Sequence, residues 1–411
     1  MSNADSTRPS PFRAGIRRRL CGGLYKVMMG RSLGWLTRLP AARRGQITTE
    51  LRTRNWQISR EDEESAAVHM RGMPVSLHLQ TTSKCNFRCI MCTRQRDGFK
   101  PNREYPCMDE DLLRKIAREG FAYASSIDLT VSGEPLLASN LDETLRLAKL
   151  YNVPVNITTN GSLLGRAGML DKLMPSLGIL AVSLDAATPE TLAKIRPGAR
   201  FDDIVAALAE CCKMRKAKRN GGEVRIAAVL MRENVQELPD MVRLAHKVGA
   251  DTFAATHMVV VSPSLRAESL LEYPDLFNRY RAEAEAVAKS LGQTVVLPAP
   301  LNSADASDAG DGGVDSAAPI QGPIRCQFSH RSLYIRTDGI ALPCCNEDPE
   351  IPSMGDAERE SIREIWNSPP YLELREGLRT GRLTPYCRRC YIIADQVRVA
   401  QRGLMKVGQG V

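Results

Sequence analysis

The sequence predicts an α/β fold built on a parallel β-sheet. Between residues 75 and 261, short apolar runs alternate six times with segments whose apolar residues recur at helical spacing. Strands that alternate with helices form βαβ units, whose crossovers place the strands parallel in one sheet. Six units are too few to close an eight-stranded barrel, so a partial barrel and a doubly wound sheet both remain open. In either arrangement the functional residues gather at the carboxyl ends of the strands.

Each predicted element has a local reason in the sequence. The helix at 108–120, MDEDLLRKIAREG, has acidic residues at its start, apolar residues at helical spacing and a glycine at its end. Strands are predicted at 75–82, 126–133, 153–161, 177–185, 223–231 and 251–261. Further helices are predicted at 141–152, 165–174, 201–217, 235–249 and 273–291.

The composition is that of an ordinary globular protein, with 411 residues, 43% apolar and 25% charged. A core of this size is stable without disulfides, so the 12 cysteines need another reason. Four of them form C-x2-C pairs, which indicate metal or redox chemistry. No secretory signal and no apolar run long enough to span a membrane is visible in the sequence. We therefore expect a cytoplasmic protein.

The net charge of +9 is concentrated at the amino-terminal end. Residues 1–54 contain twelve Arg and Lys against Asp5 and Glu50, so this segment carries +10 and the remainder is near neutral. Such an arm suits an acidic protein partner or a peripheral contact with an acidic membrane surface, and a solvated extension is the alternative. Few aromatic residues interleave the charges, so nucleic acid is not expected as a partner.

Three cysteines follow the first strand in TTSKCNFRCIMCTRQ, residues 81–95, with the spacing C-x3-C-x2-C. Three thiolates from Cys85, Cys89 and Cys92 can hold a [4Fe–4S] cluster and leave one iron open for a small ligand. Zinc is the alternative, but a structural zinc site prefers a fourth protein ligand, and none is obvious nearby.

Further motifs follow on successive strands: SGEP at 132–135, TTNG at 158–161, VSLD at 182–185 and KIRPGARF at 194–201. In this order they resemble the radical SAM superfamily. The resemblance implies a [4Fe–4S] cluster whose open iron takes the amino and carboxylate groups of S-adenosylmethionine. It also implies a reductant such as flavodoxin or ferredoxin.

The same resemblance assigns roles to single residues. Gly133 would let the backbone approach the methionine amine, and Glu134 would accept a hydrogen bond from it. Ser132 replaces the first glycine that is usual in the family. Arg196 resembles the residue that pairs with the methionine carboxylate.

Three further positions are assigned by the resemblance. Asn160 resembles a ribose contact, and Ser183 ends the fourth strand as a further contact. Met91 stands where the family often places an aromatic residue against adenine, and its thioether can pack on a purine. Asp185, His257 and His330 are candidates on the substrate side, each readily explained as structural.

A second group of cysteines lies near the carboxyl end. Cys326, a predicted Asp338-Gly339 hairpin, Cys344 and the pair Cys387 and Cys390 resemble the SPASM/twitch extension, which carries auxiliary iron–sulfur clusters. Cys390 is the last cysteine, so one auxiliary [4Fe–4S] cluster is implied, with these four cysteines as ligands. Cys345 could replace Cys344, and zinc is the alternative metal.

The resemblance spans about residues 75–392 and implies a partial (β/α)6 TIM-like barrel with a small C-terminal auxiliary-cluster domain. The predicted segments are a basic N-terminal extension (1–70), the radical SAM barrel (71–300), a flexible acidic linker (301–323) and the auxiliary-cluster domain (324–411).

The function implied is an enzyme, an oxidoreductase or maturase, that reductively cleaves S-adenosylmethionine. The 5′-deoxyadenosyl radical would abstract hydrogen from a carbon of a small molecule or peptide, leading to oxidation, epimerisation or cross-linking. Two alternatives remain. One is an iron–sulfur electron-transfer or binding protein that does not cleave S-adenosylmethionine, and the other is a zinc-binding scaffold.

Overall fold

The structure is a computed structural model that covers the barrel and most of the C-terminal domain. It describes residues 33–95, 104–129, 131–217, 222–260, 262–301, 324–345 and 351–388, with residues 390 and 393. Residues 1–32 of the predicted basic extension and 302–323 of the predicted linker lie outside the described residues, so both expectations stay predictions.

Strands and helices alternate along most of the described chain. The strands are β1 (Ser76–Leu79), β2 (Ser126–Leu129), β3 (Val155–Thr159), β4 (Leu177–Ser183), β5 (Glu223–Leu230), β6 (Thr252–His257), β7 (Thr294–Val296), β8 (Ser332–Ile335), β9 (Ile340–Leu342) and β10 (Gly355–Asp356). The helices are α1 (Ala41–Glu64), α2 (Glu110–Ile116), α3 (Leu141–Tyr151), α4 (Met169–Leu173), α5 (Pro189–Ile195), α6 (Phe201–Ala217), α7 (Leu238–Val248), α8 (Pro274–Leu291), α9 (Gln327–Arg331), α10 (Ile362–Trp366), α11 (Pro369–Thr380) and α12 (Pro385–Arg388).

These strands form one open sheet in the order β10-β9-β8-β1-β2-β3-β4-β5-β6-β7. Strands β1 to β6 follow one another in sequence order and pair in parallel, which confirms the partial (β/α)6 barrel. A doubly wound sheet would reverse its strand order at a switch point, and this sheet does not do so within β1 to β6. β7 adds a further parallel strand beside β6 that the sequence pattern did not predict.

The C-terminal domain continues the barrel sheet. β8 pairs in parallel with β1, from Ser76 opposite Ser332 to Leu79 opposite Ile335. β8 and β9 then form the predicted antiparallel hairpin, and Gly339 in its turn has a φ of +81° that glycine adopts at little cost.

A buried arginine joins the C-terminal domain to the segment before the barrel. The Arg375 guanidinium lies over the rings of both Trp366 and Tyr371, at 4.4 and 4.7 Å from their centroids, and these two rings contact each other. It donates to the carbonyl oxygens of Trp366, Ser329 and Val68 at 2.8, 2.8 and 3.3 Å. Burial lowers the pKa of Arg375 to about 10, so the group remains a cation at neutral pH and is held by ring faces and carbonyl dipoles.

Residues 33–64 pack against the barrel, although they lie within the predicted N-terminal extension of residues 1–70. Four apolar side chains of this segment are buried in the main core, namely Leu33, Leu36, Leu51 and Ile58. On α1, the Asn55 amide donates to the carbonyl oxygens of Met73 and Tyr123 at 3.0 and 3.2 Å, and its Oδ1 accepts from the Met73 amide at 2.8 Å. This part of the chain is therefore integral to the fold.

Helices in the described part of the chain lack the combined length and apolar character that crossing a bilayer requires.

Replacing Asn55 by alanine removes these three hydrogen bonds from the interior. We expect the free energy of unfolding to fall by roughly 2–4 kcal/mol, because each buried polar group left unsatisfied costs about 1–3 kcal/mol. Denaturant unfolding followed by circular dichroism measures the change. Thr53→Ala, on the exposed side of the same helix, is the control and should stay within about 0.5 kcal/mol of wild type. Equal stability of the two variants would contradict the packing of α1.

Candidate active site

The loop after β1, residues 80–95 and here called the Cys loop, carries three cysteines at the carboxyl end of the sheet. Cys89 is buried, and Cys85 and Cys92 are half-buried. The Cys92 amide donates to the Cys89 carbonyl at 3.2 Å and so closes the turn between them. Burial raises the pKa of Cys89 to about 11 and also raises that of Cys92. Because iron binds thiolates, a cluster held at this loop would form with release of protons.

An apolar cluster packs on the inner side of the Cys loop. Its buried members are Phe87, Cys89, Met91, Ile195, Met231 and Met258. Met231 and Met258 directly follow β5 and β6, so the carboxyl ends of these strands enclose the loop. Met91, the predicted adenine contact, lies within this cluster, and its contact with a purine stays a prediction.

Gly133 brings the segment after β2 onto the backbone of the Cys loop. Its φ is +81°, and an added Cβ would lie 2.3 Å from the carbonyl oxygen of Thr82 and 2.9 Å from that of Lys84. The Glu134 amide then donates to the Lys84 carbonyl at 2.7 Å. Glycine is required because the backbone approaches the Cys loop here; its approach to the methionine amine stays a prediction.

The Glu134 carboxylate is buried at the end of β3. Its Oε1 accepts from Thr159 Oγ1 at 2.7 Å and from the Leu136 amide at 3.1 Å, and its Oε2 accepts from the Asn160 amide at 2.7 Å. Burial raises the pKa of Glu134 above its ordinary value, although these donors oppose the shift. A carboxylate offers about four acceptor positions, so these three donors leave room for one more.

The Asn160 side chain links the end of β3 to the Cys loop. Its Nδ2 donates to Asn86 Oδ1 at 2.8 Å, and its Oδ1 accepts from the Ser162 amide at 3.0 Å. Ser183 is half-buried as the last residue of β4. The ribose contact predicted for Asn160 and the contact predicted for Ser183 both stay predictions.

Arg196 places a buried cation against a Cys-loop thiol. Its Nη1 donates to Cys89 Sγ at 3.4 Å, and its Nε pairs with Asp185 Oδ2 at 2.5 Å. Burial alone would lower the pKa of Arg196, but Asp185 and the Cys89 thiol raise it above its ordinary value. The predicted pairing of Arg196 with a methionine carboxylate stays a prediction.

The other two candidates on the substrate side have local partners. The His257 ring packs edge-on against Phe277, with centroids 4.6 Å apart. The His330 ring nitrogens lie 2.9 Å from Ser329 Oγ and 3.2 Å from the Ala67 carbonyl oxygen. These contacts account for His330 structurally. Among the described residues, neither of the buried ring nitrogens of His257 has a hydrogen-bond partner.

The second group of cysteines surrounds the β8–β9 hairpin. Cys326 directly precedes α9, Cys344 follows β9, and Cys387 lies in α12. The Cys390 amide donates to the Cys387 carbonyl at 3.1 Å. Burial raises the pKa of Cys387 to about 12, and the charges of Cys326 and Cys390 add to the shift. The charges of Cys326 and Cys390 therefore act on Cys387, and a fourth ligand from Cys344 or Cys345 stays a prediction.

The two cysteine groups lie at opposite ends of the β1–β8 pair. The Cys loop follows the carboxyl end of β1, whereas Cys326 precedes the amino end of the parallel strand β8. β9 runs antiparallel to β8, so Cys344 also returns to that amino end.

A row of four polar side chains crosses the sheet between these two groups. The strand register places Tyr334, His78, Asp128 and Asn156 side by side on β8, β1, β2 and β3. The rings of His78 and Tyr334 stack with centroids 4.1 Å apart. Asn156 Nδ2 donates to Asp128 Oδ1 at 2.9 Å. The row thus joins an imidazole and a carboxylate on neighbouring strands.

This row faces the inside of the curved sheet. The alternating residue Leu77 faces the helices, where its side chain approaches the backbone of Gly120. Burial raises the pKa of Tyr334, and the charges of Cys345 and Cys344 raise it further. This row was not predicted from the sequence. The polar residues at every second position of β1 and β2 could have indicated it.

The donor atoms at both cysteine groups suit iron–sulfur clusters, which are held by thiolates. In the described ranges, no group of three or more His, Cys, Asp or Glu side chains is arranged to hold a single metal ion.

Gly133→Ala should prevent the Cys loop from reaching its observed position, because the new methyl group would overlap two carbonyl oxygens. We expect the variant to lose most of the iron bound at the Cys loop, as measured by iron content and EPR after anaerobic reconstitution. Gly168→Ala is the matched control, since Gly168 has a φ of +77° but nothing within 4 Å of an added Cβ. Equal iron content in the two variants would show that the close approach at Gly133 is unnecessary.

Two family models match the chain. The radical SAM superfamily model matches residues 79–245, and the SPASM model, an iron–sulfur cluster-binding domain, matches residues 326–391. The first range contains the Cys loop, Glu134 and Arg196. The second contains all five C-terminal cysteines, the four predicted cluster ligands among them.

Similar proteins were also found among characterised relatives and solved structures. A tungsten-containing aldehyde ferredoxin oxidoreductase cofactor-modifying protein of Pyrococcus furiosus is 27% identical, over 76% of this chain and 86% of its own length. A GTP 3',8-cyclase of Pseudomonas entomophila is 28% identical, over 49% of this chain and 60% of its own length. Streptococcus suis SuiB bound to the precursor peptide SuiA has a TM-score of 0.54 and 18% identity, over 82% of this chain and 74% of SuiB. The last likeness concerns the fold alone.

These matches cover both cysteine groups in their observed order. Radical SAM domains use a [4Fe–4S] cluster and S-adenosylmethionine, and SPASM domains hold auxiliary iron–sulfur clusters. The matches therefore identify an enzyme of S-adenosylmethionine radical chemistry. The chain belongs to the radical SAM superfamily and carries a C-terminal SPASM domain.

Proposed function

We propose that the enzyme forms its radical at the Cys loop and abstracts a hydrogen atom from a carbon of a small-molecule or peptide substrate. The outcome would be oxidation, epimerisation or cross-linking. The observation that carries this proposal is one contact network. It joins the Cys loop to Glu134 through Gly133 and to Arg196 through Cys89.

In this proposal Cys85, Cys89 and Cys92 hold a [4Fe–4S] cluster that keeps one iron free of protein ligands. When bound, the cluster supplies the electron that cleaves S-adenosylmethionine into methionine and the 5′-deoxyadenosyl radical. Glu134 offers its remaining acceptor position to the methionine amine, and Arg196 offers its remaining N–H groups to the methionine carboxylate. The methionine part of S-adenosylmethionine needs an acceptor for its amine and a cation for its carboxylate. Glu134 and Arg196 offer these two groups next to the Cys loop.

We place the substrate on the inner face of the sheet. The polar row on β8, β1, β2 and β3 offers hydrogen-bond partners there, and Val229 on the inner face of β5 packs beside the Cys-loop cluster. The two methionines that follow β5 and β6 keep water from the Cys loop, which protects a reactive radical from side reactions.

The second cysteine group favours an oxidation over the other outcomes. Cys326, Cys344, Cys387 and Cys390 would hold an auxiliary cluster, which would supply an electron acceptor at the far end of the polar row. His78 and Asp128 lie in that row as groups that can take up a proton. A substrate that loses a hydrogen atom, an electron and a proton is oxidised by two electrons.

The relatives support both substrate classes. One is named as a cyclase of GTP, a small molecule, and another, of Gluconobacter oxydans, is named as a PqqA peptide cyclase. We keep both classes in the proposal for this chain.

The radical chemistry is tested with the triple variant Cys85→Ala/Cys89→Ala/Cys92→Ala. Wild type should contain about eight iron atoms after anaerobic reconstitution and the variant about four, because each [4Fe–4S] cluster holds four. Adding S-adenosylmethionine should change the EPR signal of wild type only, and reduction with dithionite should then yield 5′-deoxyadenosine. Wild type that forms no 5′-deoxyadenosine would refute the proposal and leave an electron-transfer protein.

A second variant, Cys387→Ala/Cys390→Ala, tests the auxiliary site by itself. We expect about four iron atoms to remain, together with the EPR response to S-adenosylmethionine, because the Cys loop is intact. Wild type with about four irons and bound zinc would instead assign the second site to zinc.

A further inference from the structure

The Asp185 carboxylate is fully buried just beyond β4 and receives two fixed donors. Its Oδ1 accepts from the Val229 amide of β5 at 2.8 Å, and its Oδ2 accepts from Arg196 Nε. The backbone around it is also tied down, because Asn234 Nδ2 donates to the carbonyl oxygens of Asp185 and Val229 at 2.8 and 2.9 Å. These hydrogen bonds hold the Asp185 carboxylate in one orientation. That orientation in turn determines the orientation of the Arg196 side chain.

Arg196 in turn has a direction relative to the Cys loop. Its Nε faces Asp185 on the side of β5, and its Nη1 faces Cys89 Sγ on the side of the loop. The Asp185–Arg196 ion pair has no net charge, but its positive end lies against the Cys89 thiol. A buried cation that donates to a thiolate ligand favours the more negative, reduced state of an iron–sulfur cluster.

We propose that Asp185 is a positioning residue that holds Arg196 against Cys89 and thereby raises the reduction potential of the cluster at the Cys loop. The inference rests on the proposed function in one respect, namely that Cys85, Cys89 and Cys92 hold an iron–sulfur cluster. It adds a residue whose carboxylate contacts the Val229 amide and Arg196.

Asp185→Asn is the informative variant because an amide cannot accept from both donors. The Val229 amide belongs to the sheet and keeps the one remaining oxygen, so the NH2 group of the new asparagine must face Arg196. The asparagine NH2 group and Arg196 Nε are both donors and cannot hydrogen-bond to each other. We therefore expect Arg196 to move from its observed position. Simple removal of a negative charge would raise the reduction potential, whereas loss of the positioned cation lowers it. The sign of the shift therefore separates the two effects.

The experiment is an EPR-monitored redox titration of the reconstituted full-length protein, without S-adenosylmethionine, on wild type, Asp185→Asn, Arg196→Gln and the double variant. We expect both single variants to lower the potential of the Cys-loop cluster. The reduction potential of this cluster in the double variant should be no lower than in Arg196→Gln, because Asp185 acts only through Arg196. Formation of 5′-deoxyadenosine should fall about 10- to 100-fold in Asp185→Asn, the usual cost of losing a residue behind a metal ligand.

The chain offers a matched control in Asp251. Its Oδ2 accepts from the Val224 amide at 2.9 Å at the opposite end of β5, and it pairs with Arg215. Asp251→Asn therefore loses a similar ion pair far from the Cys loop and should leave the potential unchanged. A raised or unchanged potential in Asp185→Asn, or an equal shift in Asp251→Asn, would overturn the proposal.

If Asp185→Asn does not fold, Arg196→Lys tests the same geometry. Lysine keeps the charge but lacks the planar fork that reaches Asp185 and Cys89 together, so the potential should again fall. An unchanged potential in Arg196→Lys would refute the positioning role. Absence of 5′-deoxyadenosine in wild type would refute the proposed function. The measured reduction potentials would still test the positioning role of Asp185.

Discussion

The close contact between Gly133 and the carbonyl oxygens of Thr82 and Lys84 is the constraint on which the rest of the site depends. It joins the segment after β2 to the loop after β1 with no side chain between them. From this junction Glu134 reaches the end of β3, and Asn160 reaches back to the Cys loop. Three neighbouring strands are thereby fixed relative to three thiols. The backbone contact at Gly133 acts together with the Asn86–Asn160 and Cys89–Arg196 hydrogen bonds to give the Cys loop its position.

The two cysteine groups are separated by the length of a strand pair and connected by the inner face of the sheet. The Cys loop closes one end of that face and the C-terminal cysteines lie toward the other. Between them the sheet presents stacked rings and a carboxylate instead of the branched apolar side chains that fill a closed barrel core. The open sheet makes this possible, because a polar interior row keeps access to solvent or substrate.

The sequence predicted what depends on local pattern. The six βα units, the Asp338-Gly339 hairpin and both cysteine groups come from periodicity, turn chemistry and spacing within short segments. What it missed depends on contacts between distant segments. The packing of α1 rests on Asn55 meeting Met73 and Tyr123, and the pairing of β8 with β1 joins two ends of the chain. A mostly polar helix with as many acidic as basic residues gives no local sign that a narrow stripe of it is buried. Asp185 was recognised as a candidate, but its role became visible only beside Arg196 and Val229.

The pairing of β8 with β1 has a consequence for how the protein is made. These strands lie about 250 residues apart in the chain, so β1 is synthesised long before its neighbour on that side exists. Until then the nascent barrel presents the bare hydrogen-bonding edge of β1, which invites pairing with other chains. Contacts of such long sequence separation also form slowly. The vulnerable period of biosynthesis therefore ends only when the C-terminal domain emerges and covers that edge.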